Sequence, residues 1–167
     1  KYPLAEAKFA YQYLRDQHVP CLIYQGRYNM FERNLEKEIF PLNKEQGVGF
    51  ISFSPLAQGI LTNRYLNGIP EDSRAQKGVG FLTTDQLTNE VINKVRLLNE
   101  IAATRSQSLA QMAIAWGLRN DNTSSVIVGT SSVKQLHDNL AALKNTKFTD
   151  GELTYIDGFM NNSNEIK

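Results

Sequence analysis

The sequence predicts an α/β fold built on a parallel sheet. Short apolar runs at 21–24, 48–53 and 125–129 read as buried strands, and segments with helical periodicity separate them. Strands alternating with amphipathic helices are the pattern of βαβ units. The chain also opens on a helix with no strand to feed it, as a larger α/β fold would if cut near its middle. Two architectures stay open on this pattern, a doubly wound open sheet and a (β/α) barrel, and three strands are few for either.

The elements follow in order. Residues 4–17 place Ala7, Ala10, Tyr11 and Leu14 on one helical face. Pro20 closes the connection, and Cys21-Leu22-Ile23-Tyr24 forms the first strand. A second helix over about residues 32–44 turns Leu35, Ile39 and Leu42 inward, and its charge run from Glu32 to Glu38 reads as the wet side. Gly47 suits the helix end. After the strand at 48–53, a connection from 54 to about 88 exceeds the roughly 12–15 residues beyond which loops are usually functional or disordered. Val91, Val95, Leu98 and Ala102 then share one helical face. Ser108 and Gln111 make a capping box for a helix burying Leu109, Met112, Ala113 and Trp116. The third strand follows, then a helix striped by Val133, Leu136, Leu140 and Leu143, then a short helix over about 150–159. No repeat or linker divides the chain, so residues 1–167 are expected to be a single domain.

Composition narrows the function classes. The 167 residues are 41% apolar and 21% charged, with a formal net charge of +1, which argues against a nucleic acid or an anionic membrane surface as partner. No apolar run approaches the ~20 residues of a membrane span, and the opening residues are not those of a signal peptide. The single Cys21 makes no internal disulfide, so a reducing, cytoplasmic setting is expected. The triplets at 122–124 and 161–163 match the glycosylation pattern by chance on this reading. One cysteine, two distant histidines (His18 and His137) and no carboxylate cluster leave no metal site in view. Dinucleotide, P-loop and nucleophile-elbow glycine patterns are absent.

What remains is polar residues following each strand. Gln25 follows the first, where an amide could hold a ligand carboxamide or merely cap the strand. Ser54-Pro55-Leu56-Ala57-Gln58-Gly59 follows the second, and Gly129-Thr130-Ser131-Ser132 leads from the third into a helix. A glycine-rich turn feeding a helix N-terminus favours an anion through its unpaired N–H groups and dipole, although Ser132-Val133-Lys134-Gln135 is also an ordinary capping box. Arg64 and Arg74, in the long connection, could grip a phosphate. Ligands of α/β folds bind at the C-terminal ends of strands. Pattern alone therefore reaches a phosphate-bearing ligand and stops there.

Four stretches, in order, resemble the aldo-keto reductase family: Gln25-Gly26-Arg27-Tyr28-Asn29-Met30-Phe31-Glu32-Arg33, the run from Phe53 to Thr62, Asn67-Gly68-Ile69-Pro70-Glu71-Asp72-Ser73-Arg74-Ala75, and the run from Ser125 to Ser131. They are most similar to the branch of bacterial glyceraldehyde 3-phosphate reductases and β subunits of voltage-gated potassium channels. The resemblance implies a (β/α)8 TIM barrel binding NADP(H) at its C-terminal mouth. It makes this chain the C-terminal part, strands six to eight with their helices, incomplete by itself.

The resemblance further implies residue roles. Gln25 would bond the nicotinamide carboxamide and Phe53 would stack on its ring. Ser54, Leu56, Ala57 and Gln58 would line the pyrophosphate. Arg64 stands where relatives carry a lysine near the phosphates. Arg74, Ser131 and Gln135, beside Gly129, would hold the 2′-phosphate, and Asp138 with Asn139 the adenine. The family's catalytic Asp, Tyr, Lys and His would precede this chain, and Tyr24, Tyr28 and Tyr65 do not occupy the tyrosine's place. An NADPH-dependent reductase of aldehydes or ketones is the implied whole, acting on a small carbonyl substrate, with an NADP-binding regulatory or interaction subunit as the alternative. The N-terminal half of the barrel is the implied partner, and an isolated copy is expected to be inactive and either oligomeric or poorly folded.

Overall fold

The computed structural model describes residues 2–71, 73–78 and 82–160, with Arg74 described by its backbone alone. Three parallel strands, β1 (Ile23–Arg27), β2 (Gly49–Phe53) and β3 (Thr123–Val126), form one sheet in the order β1-β2-β3. Helices α1 (Leu4–Asp16) and α2 (Leu35–Gln46) bracket β1. Between β2 and β3 lie α3 (Arg74–Lys77), α4 (Asn89–Thr104) and α5 (Leu109–Leu118), and α6 (Val133–Leu140) and α7 (Asp150–Met160) follow β3.

Two strands depart from their expected limits. β1 begins at Ile23 rather than Cys21 and runs on through Gln25 and Gly26 to Arg27, in register with Gly49 to Phe53. Gln25 and Arg27 are admitted because they lie on the face with little cover among the described residues, and Gly26 because it fits beneath Leu35 on the packed face. Tyr24, Gly26, Phe50 and Ser52 are buried, while Ile23 and Gln25 are exposed and Ile51 and Phe53 half-buried. The expectation of strands buried on both faces is thereby corrected to a period-two alternation. β3 lies over 123–126 instead of 125–129, paired as Ile51 with Ser125 and Ser52 with Val126, although Ile127 N–H still donates to the Ser52 carbonyl at 2.8 Å.

The helices lie close to where periodicity puts them, except that α2 begins at Leu35 and not at about residue 32, and their ends have chemical causes. Thr88 accepts from Val91 N–H at the start of α4. Ser108 and Gln111 exchange the two bonds of a capping box at the start of α5. Gly47 closes α2 with φ +68°, a conformation open to glycine at little cost. Leu35, Ile39 and Leu42 of α2 and Leu109, Met112, Ala113 and Trp116 of α5 are buried as expected. The long connection is not structureless, holding α3 and short 3-10 turns at Ala57–Gly59, Asn63–Tyr65 and Thr84–Gln86.

The apolar stripe of α6 faces outward. Val133 is 72% and Leu143 60% exposed, and Leu136 and Leu140 are exposed with them, whereas Asn139 and Ala142 are buried. The amphipathic pattern is real, but among the described residues nothing covers the apolar side of α6. No helix among the described residues is long and apolar enough to cross a membrane.

Glycines on either side of the sheet–helix contact show how closely the two layers sit. A Cβ on Gly26 would lie 2.7 Å from Leu35 Cδ1 and 3.2 Å from Phe50 Cε2, while one on Gly117 meets Val126 Cγ2 at an ordinary 3.5 Å. Gly26→Ala is therefore expected to destabilise the protein by about 1–3 kcal/mol through overpacking. Gly117→Ala, within a helix, should be neutral or stabilising by up to about 1 kcal/mol. Urea unfolding of the two variants beside wild type checks the contrast.

Candidate functional site

Because the three strands are parallel, their C-terminal ends share one edge of the sheet, and the sequence-predicted residues distribute along it. Gln25 sits in the middle of β1, not after it, and is exposed on the uncovered face opposite Ile51. Phe53 ends β2 opposite Arg27, whose guanidinium lies 5.8 Å from the centre of the Phe53 ring. Arg27 also pairs with Glu32 at 3.5 Å.

The chain leaving β2 is a tight turn of unusual conformation. Ser54, Ala57 and Gln58 have φ values of +55°, +44° and +58°, in the left-handed region that non-glycine residues avoid. Ser54 carbonyl accepts from Ala57 N–H at 3.0 Å, and Leu56 carbonyl from Gly59 N–H at 2.8 Å and Leu61 N–H at 3.1 Å. Thr62 Oγ1 donates to the Gly59 carbonyl at 2.7 Å and accepts from Arg64 N–H, fixing the exit of the turn. Residues in such conformations each cost on the order of 1–3 kcal/mol and gather at ligand clamps and active sites.

The second group lies at the start of α6. Gly129 is exposed in the lead from β3, and Ser131 donates through both N–H and Oγ to Gln135 Oε1, at 2.8 Å and 3.0 Å. Ser132 caps the helix by accepting from Gln135 N–H. Asp138 and Asn139 diverge. Asp138 is exposed, with its carbonyl accepting from Gln111 Nε2 at 3.0 Å, whereas Asn139 is buried and its Nδ2 has no hydrogen-bond partner among the described residues. Arg64 is exposed in a 3-10 turn. Arg74 opens α3, and its side chain lies outside the described residues.

Sequence reasoning missed a polar network behind this edge. Tyr28, one residue past β1, is fully buried, its ring centre 5.0 Å from that of Phe40, 5.9 Å from Phe50 and 5.1 Å from Trp116. Its hydroxyl donates to Glu36 Oε1 at 2.5 Å and accepts from Arg119 at 2.8 Å. Glu36 also takes Arg119 at 2.9 Å and both ends of the Arg33 guanidinium, and Arg33 reaches on to Asp157 in α7. Arg119 stacks 3.6 Å from the Trp116 ring centre. Part of the charge run over 32–38 is thus turned inward, correcting its reading as a wholly wet face. The sequence carries no signal for it, because nothing in the spacing joins 28, 36 and 119.

Burial pushes the Tyr28 hydroxyl far above the usual tyrosine range, with the Arg119 charge opposing and Glu36 adding to the shift. The group stays a proton donor to Glu36. Tyr24 hydroxyl donates to the Tyr2 carbonyl, and burial raises it as well. Both hydroxyls are engaged within the fold. Burial by itself would raise the Glu36 carboxyl, but the hydrogen bonds from Arg33 and Tyr28, with the Arg33 charge, carry it below the usual range.

The aldo/keto reductase family model matches residues 4–161, and the chain belongs to that family. It is 46% identical over 148 residues to the L-glyceraldehyde 3-phosphate reductase of Escherichia coli K12, covering 86% of this chain and 43% of that protein. It is 42% identical over 125 residues to probable voltage-gated potassium channel β subunits of Oryza sativa subsp. japonica and Arabidopsis thaliana, covering 73% of this chain and 38% of each. The chain spans less than half the length of these curated relatives.

A carboxylate whose folded-state pKa is depressed stabilises the fold above its unfolded value and loses that contribution as pH falls through the folded value. Stability should accordingly drop as pH falls below about 4.5, the ordinary glutamate value. Glu36→Gln should be less stable near neutrality and show a shallower acid decline. Urea midpoints from about pH 3 to pH 7 test this, and parallel profiles for variant and wild type would contradict it.

Proposed function

We propose that this chain forms the C-terminal part of a (β/α)8 barrel, strands six to eight with their helices, and carries most of the NADP(H) site of a cytoplasmic reductase. The reaction is reduction of an aldehyde or ketone to an alcohol, with a glyceraldehyde 3-phosphate-like substrate as the first class to try. The observation that carries the reading is the strained turn at Ser54–Gln58, placed at the C-terminal end of the central strand in a chain of this family. Strain of that kind persists where the surrounding structure over-determines it, and it clusters at ligand clamps and active sites.

The residues present suit the cofactor's parts. Gln25 and Phe53 share the uncovered face and would meet the nicotinamide carboxamide and ring. The turn of Ser54, Leu56, Ala57 and Gln58, with Arg64 beyond it, would hold the pyrophosphate. Arg74, Ser131 and Gln135, entered through Gly129, would hold the 2′-phosphate, where a guanidinium gives a charge-assisted contact that NADH cannot use. Asp138 and Asn139 would meet the adenine, and the unpaired buried Nδ2 of Asn139 is a donor in want of an acceptor. When bound, the cofactor supplies the hydride. The proton that completes the alcohol would come from an acid elsewhere in the barrel, since Tyr24 and Tyr28 hydroxyls are engaged in the fold.

The remainder of the barrel would cover the open sheet face and the outward stripe of α6. The likeness to potassium channel β subunits favours a second reading, an NADP-binding regulatory or interaction subunit in which turnover is secondary. Turnover separates the two.

The full-length gene product should oxidise NADPH in the presence of glyceraldehyde, and the 167-residue chain alone should not. A full-length protein that neither binds NADPH nor reduces small aldehydes would sink the enzyme reading. Binding without turnover would leave the subunit reading. NADPH should bind better than NADH, and Arg74→Ala should weaken NADPH about 10–100-fold while leaving NADH nearly unchanged, the range expected from one charged hydrogen bond. Fluorescence titration with both nucleotides checks it, and equal wild-type affinities would overturn the 2′-phosphate assignment.

A further inference from the structure

The left-handed turn after β2 needs something to hold it, and one buried side chain does so. Asn29 is 1% exposed, and its Nδ2 donates to the Ser54 carbonyl at 3.0 Å. Its Oδ1 accepts from Phe31 N–H at 2.9 Å and Glu32 N–H at 3.1 Å. The two amide ends face opposite kinds of partner, an acceptor on one side and two donors on the other, so the orientation of the amide is determined. Asn29 and Glu32 also exchange backbone hydrogen bonds at 3.3 Å and 3.1 Å. The residue is thus bound into its own closed loop and reaches out of it to one carbonyl.

That carbonyl belongs to the first strained residue. Ser54 stands at φ +55°, and its carbonyl also takes Ala57 N–H, which carries the next left-handed residue. Without a donor from Asn29, the direction of the Ser54 carbonyl rests on that single local bond, and an extended backbone would be favoured by the usual steric preference. The loop holding Asn29 is itself rigid. Tyr28, its neighbour, donates its N–H to the Phe53 carbonyl at 3.4 Å and is anchored through its hydroxyl, and Met30 on the other side is buried.

We infer that Asn29 is a positioning residue for the cofactor's pyrophosphate, acting through the Ser54 carbonyl to keep the Ser54–Gln58 turn in its left-handed form. The inference rests on the NADP(H) reading above. Asn29 touches no part of the 2′-phosphate grip, so its loss affects NADPH and NADH alike.

Asn29→Asp, whose effect is read beside that of Asn29→Ala, removes the donor to Ser54 while the carboxylate still accepts from Phe31 and Glu32 N–H, and it also sets a negative charge against the Ser54 carbonyl. In the full-length protein this variant should keep the wild-type circular dichroism spectrum and cooperative melting. It should exchange the Ala57, Gly59 and Leu61 amides faster and bind NADPH and NADH each about tenfold more weakly, the loss expected from one hydrogen bond, with their ratio unchanged. Asn29→Ala makes the same comparison without a new charge. Unchanged affinity and exchange in a folded variant would overturn the inference, as would a fall in NADPH affinity alone. Loss of folding in both variants would make Asn29 a residue of the fold and overturn it too. Failure of wild type itself to bind NADPH removes the cofactor reading and this role with it, and is seen before any variant is compared.

Discussion

Tyr28 stands where the chain leaves β1, its ring enclosed by Phe40, Phe50 and Trp116 and its hydroxyl between Glu36 and Arg119. Burying such a ring stabilises by about 1.5–3 kcal/mol, and a buried hydroxyl left without a partner costs about 1–3 kcal/mol. The two magnitudes are comparable, so the aromatic cluster is stabilising only while the hydroxyl is satisfied. Its partners are charged, and the same logic applies to them. Glu36 is held by donors from Tyr28, Arg33 and Arg119, and Arg119 lies against Trp116. Side-chain exposures of 26% for Glu36 and 15% for Arg119 leave the pair partly wet, which keeps the desolvation cost below that of a fully buried ion pair. One hydroxyl thereby ties β1, α2 and the end of α5, and through Arg33 and Asp157 also α7.

This anchorage all lies on one side of the sheet. On the helix side, Gly26 and Phe50 are packed closely enough that a methyl group at 26 would collide. On the other side Ile23 and Gln25 are open, and the α6 stripe is open too. A parallel sheet is ordinarily covered on both faces, and a barrel achieves this by closing on itself. The uncovered face carries Gln25 and Phe53, the residues assigned to the nicotinamide, so the face that most needs a partner is also the one that would present the ligand.

The sequence was most legible where local rules decide. The 3.6-residue periodicity of α2, α4 and α5, the Ser108/Gln111 box and the Gly47 stop are short-range features, and each lies as expected. Strand limits were less legible. The open face tolerates Gln25 and Arg27 in β1 and the close packing of Leu35 suits Gly26, so an apolar run is not the full extent of a strand. The apolar stripe of α6 was visible, but which neighbour covers it is a tertiary fact. The Tyr28–Glu36–Arg119 network was not legible, because it joins residues from three elements, one of them 91 positions from Tyr28. The Ser131–Gln135 contact lies within one turn and needs only helical geometry. The roles proposed for Phe53 and Asn139 rest on family likeness, whereas pattern alone already offered a carboxamide contact for Gln25 beside a plain strand cap.

Strain collects after β2, and the sheet order gives a reason. β2 is the central strand, so its direction is held by ladders on both sides, whereas β1 and β3 each have one. At its C-terminal end the Phe53 carbonyl accepts from Tyr28 N–H and the Ser52 carbonyl from Ile127 N–H. Ser54 consequently starts from a point fixed on two flanks, and the backbone cannot relax the turn by tilting the strand beneath it. Asn29 then pins the first carbonyl of the turn from the flank anchored by Tyr28. The aromatic cluster and the left-handed turn are for this reason parts of one mechanical arrangement, with Tyr28 and Asn29 as adjacent residues serving the two ends of it.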